Sequence, residues 1–409
     1  MKTERPYPRA FVTAKGEAAL LRGHPWVYGA EITSLEGAYK NGDLVDVVNR
    51  KGSYLGTGLI NDHSKIRVRL LSRNANDRFD DAFWERRLRY AWEYRKTVMG
   101  PTDSRCCRLV FGEADGLPGL TVDRFENVLV AQVLSFGMEI RKELLFSLLL
   151  KILREDGQTV NGVYERNDVA IRELEGLTQG KGWCSLPGEA VPAFTATDIV
   201  ENGIRYTVDF ENGQKTGFFL DQKYNRLAVA KLARGKTVLD CFTHTGSFAL
   251  NAAMGGALHV TAVDVSEFAV ECARENARRN GLEDRMDALA ANVFDLLPAL
   301  EKQPRRYDFI ILDPPAFTKS RRTVDSAMTG YKEINYRAMK LLPRGGYLAT
   351  CSCSHFATDE LFVKMLHSAA RDADVQLRQI EARQQCCDHP ILWGVDETSY
   401  LKFYLFQVI

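Results

Sequence analysis

Hydrophobic and polar positions alternate in short runs through the first part of the chain. The runs at residues 44–48, 54–60 and 66–71 are rich in β-branched and aliphatic residues, and turn residues separate them. In the last run apolar residues alternate with two arginines. A period of two is typical of a strand with one buried face. The pattern predicts a small β-barrel or sandwich over residues 1–75.

The middle of the chain mixes helical and strand-like periods. A helix with a rough apolar stripe is predicted from residue 80 to about 98, and a second helix is predicted near 138–154. Strand-like runs stand between and after them, at residues 107–111, 128–133 and 162–166. These elements predict a central α+β domain over residues 76–205.

A glycine-rich segment at residues 112–120 lies inside that central domain. It has neither the Walker spacing nor the following Lys-Ser/Thr of a phosphate-binding loop. We therefore interpret it as a tight turn that needs special backbone angles, in preference to a ligand site.

From about residue 206 strands and helices alternate. Seven strand-like runs are separated by mostly helical segments, at residues 237–241, 259–264, 287–291, 307–313, 346–351, 376–383 and 401–408. Such alternation is typical of a doubly wound α/β sheet. The predicted fold is a seven-stranded Rossmann-like domain over residues 206–409.

Composition narrows the class of protein. Of the 409 residues 45% are apolar and 26% are charged, as in soluble globular proteins. The net charge is only +1, so any nucleic-acid surface must be a local patch. The nine cysteines are an odd number spread over the whole length, and their spacing matches no zinc finger or ribbon. A reducing cytosol is the simplest setting. We find no signal sequence or long apolar run, and we expect a cytoplasmic protein that neither spans a membrane nor is exported.

Two acidic residues end the first two strands of the predicted sheet. Asp240 precedes a turn with one glycine, Gly246, and Asp264 follows just over twenty residues later. A carboxylate at the second position suits the ribose hydroxyls of a bound nucleoside. Because the turn lacks a glycine trio for close approach to a pyrophosphate, a dinucleotide is disfavoured. A cofactor with an adenosine but no phosphate, S-adenosylmethionine, fits better.

Two family resemblances extend this interpretation. Residues 22–28, with Gly42-Asp43 and Gly56-Thr57-Gly58, resemble the PUA domain, a small RNA-binding module. The turn after Asp240, the Asp313-Pro314-Pro315 segment and Ser352-Cys353-Ser354 resemble class I methyltransferases.

Further motifs narrow the second resemblance and stand at residues 113–120, 217–222, 388–390 and 400–402. With them, nearly the whole chain is similar to the bacterial 23S rRNA cytosine-5 methyltransferases that carry an N-terminal PUA domain. The resemblance implies S-adenosylmethionine as cofactor and RNA, above all 23S rRNA, as partner. A homodimer is an open alternative for the assembly.

The resemblance also implies a set of cofactor-binding residues. Asp240 and the following turn would hold the methionine part, Asp264 the ribose, and Val265 would lie beside the adenine. Asn292 stands where related enzymes usually have an aspartate for the adenine amine; its carbonyl can accept the same hydrogen bond without the charge. The complete implied set is Phe219, Gln222, Asp240, Phe242, Thr243, Thr245, Gly246, Asp264, Val265, Asn292, Asp313 and Pro314.

C5 of a pyrimidine becomes nucleophilic only after a group adds at C6, and a cysteine thiolate can do this. Two cysteines end the predicted fifth strand. Cys351 continues the apolar run and is interpreted as a packed strand residue. Cys353 lies beyond the strand, matches the Ser-Cys-Ser pattern of the family and is our predicted nucleophile. Asp313, at the end of the neighbouring strand, is the predicted proton acceptor or base-orienting group.

Several local alternatives stay open. Zinc at Cys351-x-Cys353-x-His355 is disfavoured because no second ligand pair completes four ligands. His355 is either a surface residue or a neighbour of the thiol or of a phosphate. The basic tract at residues 319–322 is either a phosphate contact or solvated loop charge, and Phe317 either stacks on an unpaired base or packs.

Two other functions compete with cytosine methylation. Methylation of a base nitrogen, as in enzymes that make 7-methylguanine, needs no thiol. A non-catalytic RNA-binding assembly factor would keep the cofactor fold without using it.

Overall fold

The structure is a computed structural model that describes residues 5–304, 307–318 and 320–409. The chain divides into two compact units. The first comprises the residues up to Ile199 with Val208–Leu220 and Cys387–Thr398, and the second comprises Val200–Thr207, Asp221–Cys386 and Ser399–Ile409. None of the helices described combines the length and apolar composition needed to cross a membrane. The division into three domains stays a prediction.

The first unit begins with a six-stranded sheet and one helix, α1 (Ala14–Leu21). The strands are β1 (Arg9–Val12), β2 (Trp26–Tyr28), β3 (Ile32–Glu36), β4 (Leu44–Val48), β5 (Tyr54–Ile60) and β6 (Ile66–Ser72). Their order in the sheet is β2-β6-β5-β4-β1-β3. Val68 and Leu70 are buried while Arg67 and Arg69 are not, as the alternation predicts.

A five-stranded sheet and three helices follow in the same unit. The strands are β7 (Cys106–Phe111), β8 (Leu120–Phe125), β9 (Val128–Val133), β10 (Val163–Arg166) and β11 (Lys181–Trp183), in the order β11-β10-β9-β8-β7. The helices are α2 (Asp81–Asp103), α3 (Phe136–Glu139) and α4 (Lys142–Glu155). Gly116 in the glycine-rich turn has φ of 68°, so this turn does require special backbone angles.

A two-stranded sheet, β12 (Ala196–Glu201) with β13 (Ile204–Asp209), precedes the largest sheet. The strands of the largest sheet are β14 (Thr237–Cys241), β15 (His259–Asp264), β16 (Met286–Ala290), β17 (Phe309–Leu312), β18 (Tyr347–Ser352), β19 (Leu377–Arg383) and β20 (Lys402–Val408). Their order is β16-β15-β14-β17-β18-β20-β19. Only β20 pairs antiparallel with its neighbours. The predicted seven-stranded doubly wound sheet is confirmed.

Six helices accompany these strands in the sequence. They are α5 (Lys223–Leu232), α6 (Ser247–Met254), α7 (Glu267–Arg279), α8 (Val293–Glu301), α9 (Val324–Leu341) and α10 (Asp359–Asp372). The core of the sheet includes the fully buried strand residues Leu239, Ile310 and Leu348.

The parallel register brings three chain segments to one edge of this sheet. Cys241 pairs with Leu312, and Leu312 pairs with Thr350. The residues that follow β14, β17 and β18 therefore emerge side by side at the carboxyl ends of the strands. In open α/β sheets this is where ligands bind.

Candidate active site

Asp240 is a fully buried carboxylate at the end of β14. Its Oδ2 accepts hydrogen bonds from the Thr243 hydroxyl at 2.5 Å and from the Ala249 N–H at 2.9 Å. Its Oδ1 is buried and has no hydrogen-bond partner among the described residues. Burial raises the pKa of Asp240 to about 7. A buried carboxylate oxygen without a donor is costly unless a ligand supplies one, and a cationic group would do so best.

The turn after β14 is held in an uncommon backbone conformation. Phe242, His244 and Gly246 have φ of 65°, 53° and 85°. Positive φ is unfavourable for the two residues that carry side chains and often marks a functional site. Asp264, at the end of β15, stabilises the turn by accepting a hydrogen bond from the His244 N–H at 2.9 Å. Its other oxygen accepts from the Ser266 N–H at 3.0 Å.

The remaining predicted adenosine contacts lie beside this turn in the sequence. Val265 is 75% exposed, an unusual state for an aliphatic side chain next to a strand. Asn292 begins α8, and its Oδ1 accepts a hydrogen bond from the Phe294 N–H at 3.1 Å. The Asn292 oxygen that was expected to accept from the adenine amine therefore already accepts the capping hydrogen bond of α8. The carbonyl of Thr245 is also engaged, by the Asn276 amide at 3.0 Å.

These features fit an adenosyl cofactor with an amino acid tail. The unpaired oxygen of Asp240 suits an ammonium group, and the partly exposed carboxylate of Asp264 keeps lone pairs for ribose hydroxyls. The exposed side chain of Val265 offers an apolar surface for a purine ring.

Asp313 follows β17 directly and has a polar neighbourhood of its own. The Gln222 amide donates to its Oδ1 at 3.0 Å, and Gln222 in turn accepts from the Asn225 amide at 2.7 Å. The thiol of Cys351 also hydrogen-bonds to Asp313. Burial, followed by the negative charge of Asp221, raises the pKa of Asp313 to about 6. A carboxylate with this pKa is a suitable proton acceptor near neutral pH.

The two cysteines of this edge differ in their surroundings. Cys351 lies within β18 and is fully buried, and burial raises its pKa well above the ordinary value. Its bond to Asp313 goes beyond the packing role inferred from the sequence. Cys353 lies just past the end of β18 and is half-buried. Its Sγ is 3.9 Å from the carbonyl oxygen of Pro314, the residue that follows Asp313.

Lys402 supports the segment that carries Cys353. Its Nζ donates to the carbonyl oxygens of Ser354 at 2.6 Å and Tyr400 at 2.9 Å. Burial lowers the pKa of Lys402 to about 8, against Coulombic attraction to Cys353 and Asp359. Sequence reasoning gave Lys402 no role. The sequence feature that could have pointed to Lys402 is its position at the start of an otherwise largely apolar run.

Phe317 packs among three aromatic rings. Its ring centroid is 4.5 Å from that of Tyr331, 5.8 Å from that of Phe294 and 6.4 Å from that of Phe242. The Tyr331 oxygen accepts a hydrogen bond from the Ser352 hydroxyl at 3.1 Å. Phe317 therefore packs against neighbouring rings, as one of its two predicted roles requires, and stacking on an unpaired base stays a prediction.

Other predicted site residues are not brought to this edge by the contacts described here. Phe219 is half-buried in the first unit, with the Lys215 ammonium 5.0 Å from its ring centroid. Lys319 of the basic tract lies outside the described residues, whereas Arg321 and Arg322 are exposed. The ring of His355 contacts that of Phe356.

Within the described residues no group of three or more His, Cys, Asp or Glu side chains is arranged to hold a metal ion.

Family models match two parts of the chain. A model described as S-adenosylmethionine-dependent methyltransferase matches residues 181–407, and a PUA-like domain model matches residues 11–73. Ribosomal RNA large subunit methyltransferase I of Klebsiella pneumoniae strain 342 is 39% identical over 409 residues, 100% of each chain. The protein of that name from Escherichia coli O9:H4 strain HS is 39% identical over 402 residues, 97% of this chain and 99% of its own.

Solved structures share the fold over nearly the full length. A SAM-dependent methyltransferase from Streptococcus mutans has a TM-score of 0.81 at 21% identity and covers 98% of this chain and 99% of its own. A methyltransferase solved with SAH has a TM-score of 0.82 at 21% identity, with the same coverage. The predicted fold class, with its PUA-like domain, is confirmed.

Proposed function

The chain belongs to the family of the ribosomal RNA large subunit methyltransferases I, and from this premise we propose that it methylates C5 of a cytosine in 23S rRNA in the cytoplasm. Its cofactor is S-adenosylmethionine, which supplies an electrophilic methyl group. One observation carries the proposal of C5 chemistry. The Cys353 thiol lies 3.9 Å from the carbonyl oxygen of Pro314, so it is beside the segment that carries Asp313 at the same sheet edge.

In the proposed reaction Cys353 is the nucleophile and Asp313 is the proton acceptor. The Cys353 thiolate would form a bond to C6 of the cytosine, and the electron pair released at C5 would form the bond to the methyl group as the bond between that methyl group and the sulfonium sulfur breaks and S-adenosylhomocysteine leaves. Asp313 then removes the C5 proton, the C5–C6 double bond re-forms, and the thiolate leaves. Lys402 keeps the Cys353 segment in position through its bond to the Ser354 carbonyl.

The cofactor site follows from the polar atoms at the ends of β14 and β15. Asp240 Oδ1 accepts from the ammonium of the cofactor, and Asp264 accepts from the ribose hydroxyls. Val265 lies against the adenine. Because Asn292 Oδ1 already caps α8, we assign its amide N–H, which can donate to a ring nitrogen, to the adenine. The other proposed contacts are Phe219, Gln222, Phe242, Thr243, Thr245, Gly246, Asp313 and Pro314.

Replacement of Asp264 by alanine is expected to weaken the binding of S-adenosylhomocysteine (SAH) about 10- to 100-fold, because the ribose loses hydrogen bonds to a charged acceptor. Isothermal titration calorimetry measures this. Asp287→Ala is the matched control, since Asp287 is a carboxylate on the adjacent strand β16 whose side chain is 77% exposed. Equal affinity of the Asp264 variant and the wild type would refute the ribose role.

The affinity for SAH is expected to rise with pH between about 6 and 7.5. The pKa of Asp240 is raised to about 7, so the carboxylate that attracts the ligand's ammonium becomes populated as pH increases through that value. The α-amino group of the ligand stays mostly protonated over this range. Asp240→Asn should bind weakly and with a flatter pH profile in calorimetry. Parallel profiles for the two proteins would contradict the assignment.

The proposed function is tested by incubating the purified protein with unmodified 23S rRNA and S-adenosylmethionine and analysing the nucleosides by mass spectrometry. We expect 5-methylcytidine. Formation of 7-methylguanosine instead would favour methylation of a base nitrogen, and binding of the RNA without any methylation would favour an assembly factor.

A further inference from the structure

A cavity of about 810 Å³ opens in the first unit, in a region to which the proposed reaction assigns no role. One wall is the glycine-rich turn at residues 113–116, and another is the face of α2 that carries Arg86, Arg87 and Tyr90. Arg73, just after β6, adds a further guanidinium. The volume is in the range of ligand sites, about 300–1,000 Å³, so it admits a short piece of a polymer but no duplex.

The carboxylates that line this cavity are already engaged. Asp115 makes a paired hydrogen bond with Arg95, at 2.6 and 2.8 Å. Glu113 accepts from the Trp26 indole at 2.8 Å and from Arg69 at 3.2 Å. These acids therefore contribute little uncompensated negative charge to the cavity.

The third lining carboxylate, Asp77, is held mainly by a hydroxyl. The Ser72 hydroxyl donates to Asp77 at 2.5 Å, whereas the Arg86 guanidinium approaches it only to 3.5 Å, with 44% of the Arg86 side chain exposed. Arg86 can therefore reorient toward a ligand at little cost.

Two arginines of the cavity have no carboxylate within 4 Å among the described residues, namely Arg73, which is exposed, and Arg87. Arg87 is half-buried and donates to the Leu71 carbonyl at 2.7 Å, and burial lowers its pKa. A Cβ at Gly116 would lie 1.8 Å from Arg87 Nη1, so the absence of a side chain there lets the guanidinium reach the turn. Asp77 attracts this guanidinium only from beyond ion-pair distance, so the partly desolvated group is still suited to bind a phosphate.

Aromatic rings stand beside these charges. Tyr90 and Tyr94 are one helical turn apart on α2 and are 64% and 36% exposed. The Tyr94 hydroxyl is bonded to the Cys387 carbonyl at 3.0 Å, which holds its ring in place. Exposed aromatic rings interleaved with arginines are how single-stranded nucleic acids are bound, with bases stacked on the rings and phosphates on the guanidiniums.

We propose that this cavity binds a single-stranded segment of the RNA substrate, with Arg73, Arg86 and Arg87 on its phosphates and Tyr90 under a base. The inference rests on the proposed RNA substrate and assigns it a second contact surface outside the methyltransferase sheet. In a chain whose net charge is only +1, the overall field does not attract RNA, so a local cluster of this kind must do so.

The test measures binding of a fluorescein-labelled 12-nucleotide single-stranded RNA to the full chain by anisotropy, over a series of KCl concentrations. Tyr90→Ala is expected to weaken binding roughly tenfold and Tyr90→Phe to leave it unchanged, because stacking needs only the ring. Arg73→Ala should reduce the slope of log K against log salt by about 0.7, the loss of one phosphate contact. Arg50→Ala, an exposed arginine that does not line the cavity, is the control with wild-type binding.

Wild-type RNA affinity and salt slope in the Arg73 and Tyr90 variants would overturn the proposal. So would displacement of the bound RNA by free cytidine monophosphate, inorganic phosphate or an acidic peptide at the same molar concentration as unlabelled RNA. SAH calorimetry on each variant shows that it is folded. If the variants bind RNA like the wild type while the wild type methylates 23S rRNA, only this inference fails. If they lose RNA while the wild type methylates no RNA, the cavity assignment stands and the proposed function fails.

Discussion

Replacement of Cys353 by alanine is expected to abolish methyl transfer, with a loss of at least about a thousandfold in kcat, because no other group can add at C6 of the cytosine. RNA containing 5-fluorocytosine gives a second readout. Fluorine at C5 cannot leave as a proton, so the cysteine adduct should persist and be visible on a denaturing gel. The Cys353 variant should form none of it.

Cys351→Ala is the matched control, since Cys351 is two residues before Cys353 and lies within β18. Cys351 is fully buried, with a pKa raised well above its ordinary range, so it is expected to be inert as a nucleophile. The variant should still form the adduct. Because the Cys351 hydrogen bond lowers the pKa of Asp313, the pH–rate profile should shift to higher pH. An adduct in the Cys353 variant and none in the Cys351 variant would reverse the assignment.

Replacement of Asp313 by asparagine is expected to lower the rate about 100- to 10,000-fold, the range for loss of a general base. Since proton removal follows methyl transfer, the methylated adduct should accumulate on ordinary RNA. In the wild type the rate should rise with pH through about 6, the raised pKa of this carboxyl, because only the ionised form accepts the proton.

Asp308→Asn is the control for this effect, since Asp308 precedes the opposite end of β17 and bonds the Thr237 N–H at 3.0 Å. SAH calorimetry on the Asp313 variant separates a loss of cofactor binding from a loss of proton removal. A near-normal rate without adduct would rule out Asp313 as the base.

Most strands of the sheet could be predicted because they are compact apolar runs bounded by turn or capping residues, whereas β19 is mostly polar and has no buried residue. Thr237–Cys241 and His259–Asp264 have the predicted limits, and β17 is shorter at both ends than the predicted run. The position of Cys353 beyond the strand followed from the predicted strand at residues 346–351, and the observed strand ends one residue later, at Ser352. These properties depend on residues that are close together in the chain, so they can be predicted from the sequence.

What the sequence did not predict depends on contacts between distant residues. The bond from Lys402 to the Ser354 carbonyl spans 48 positions, and that from Gln222 to Asp313 spans 91. The positive φ of Phe242 likewise cannot be predicted from the sequence, because phenylalanine rarely adopts a positive φ without a tertiary constraint. The cavity beside α2 also depends on residues far apart in the sequence, such as Arg73, Arg87 and Gly116.

The most direct test of the central claim is a map of 5-methylcytosine in the 23S rRNA of cells that lack this protein. We predict that one modified cytosine disappears, that the wild-type gene restores it, and that the Cys353→Ala gene does not. A map in which every 5-methylcytosine remains in the cells lacking the protein would contradict the account.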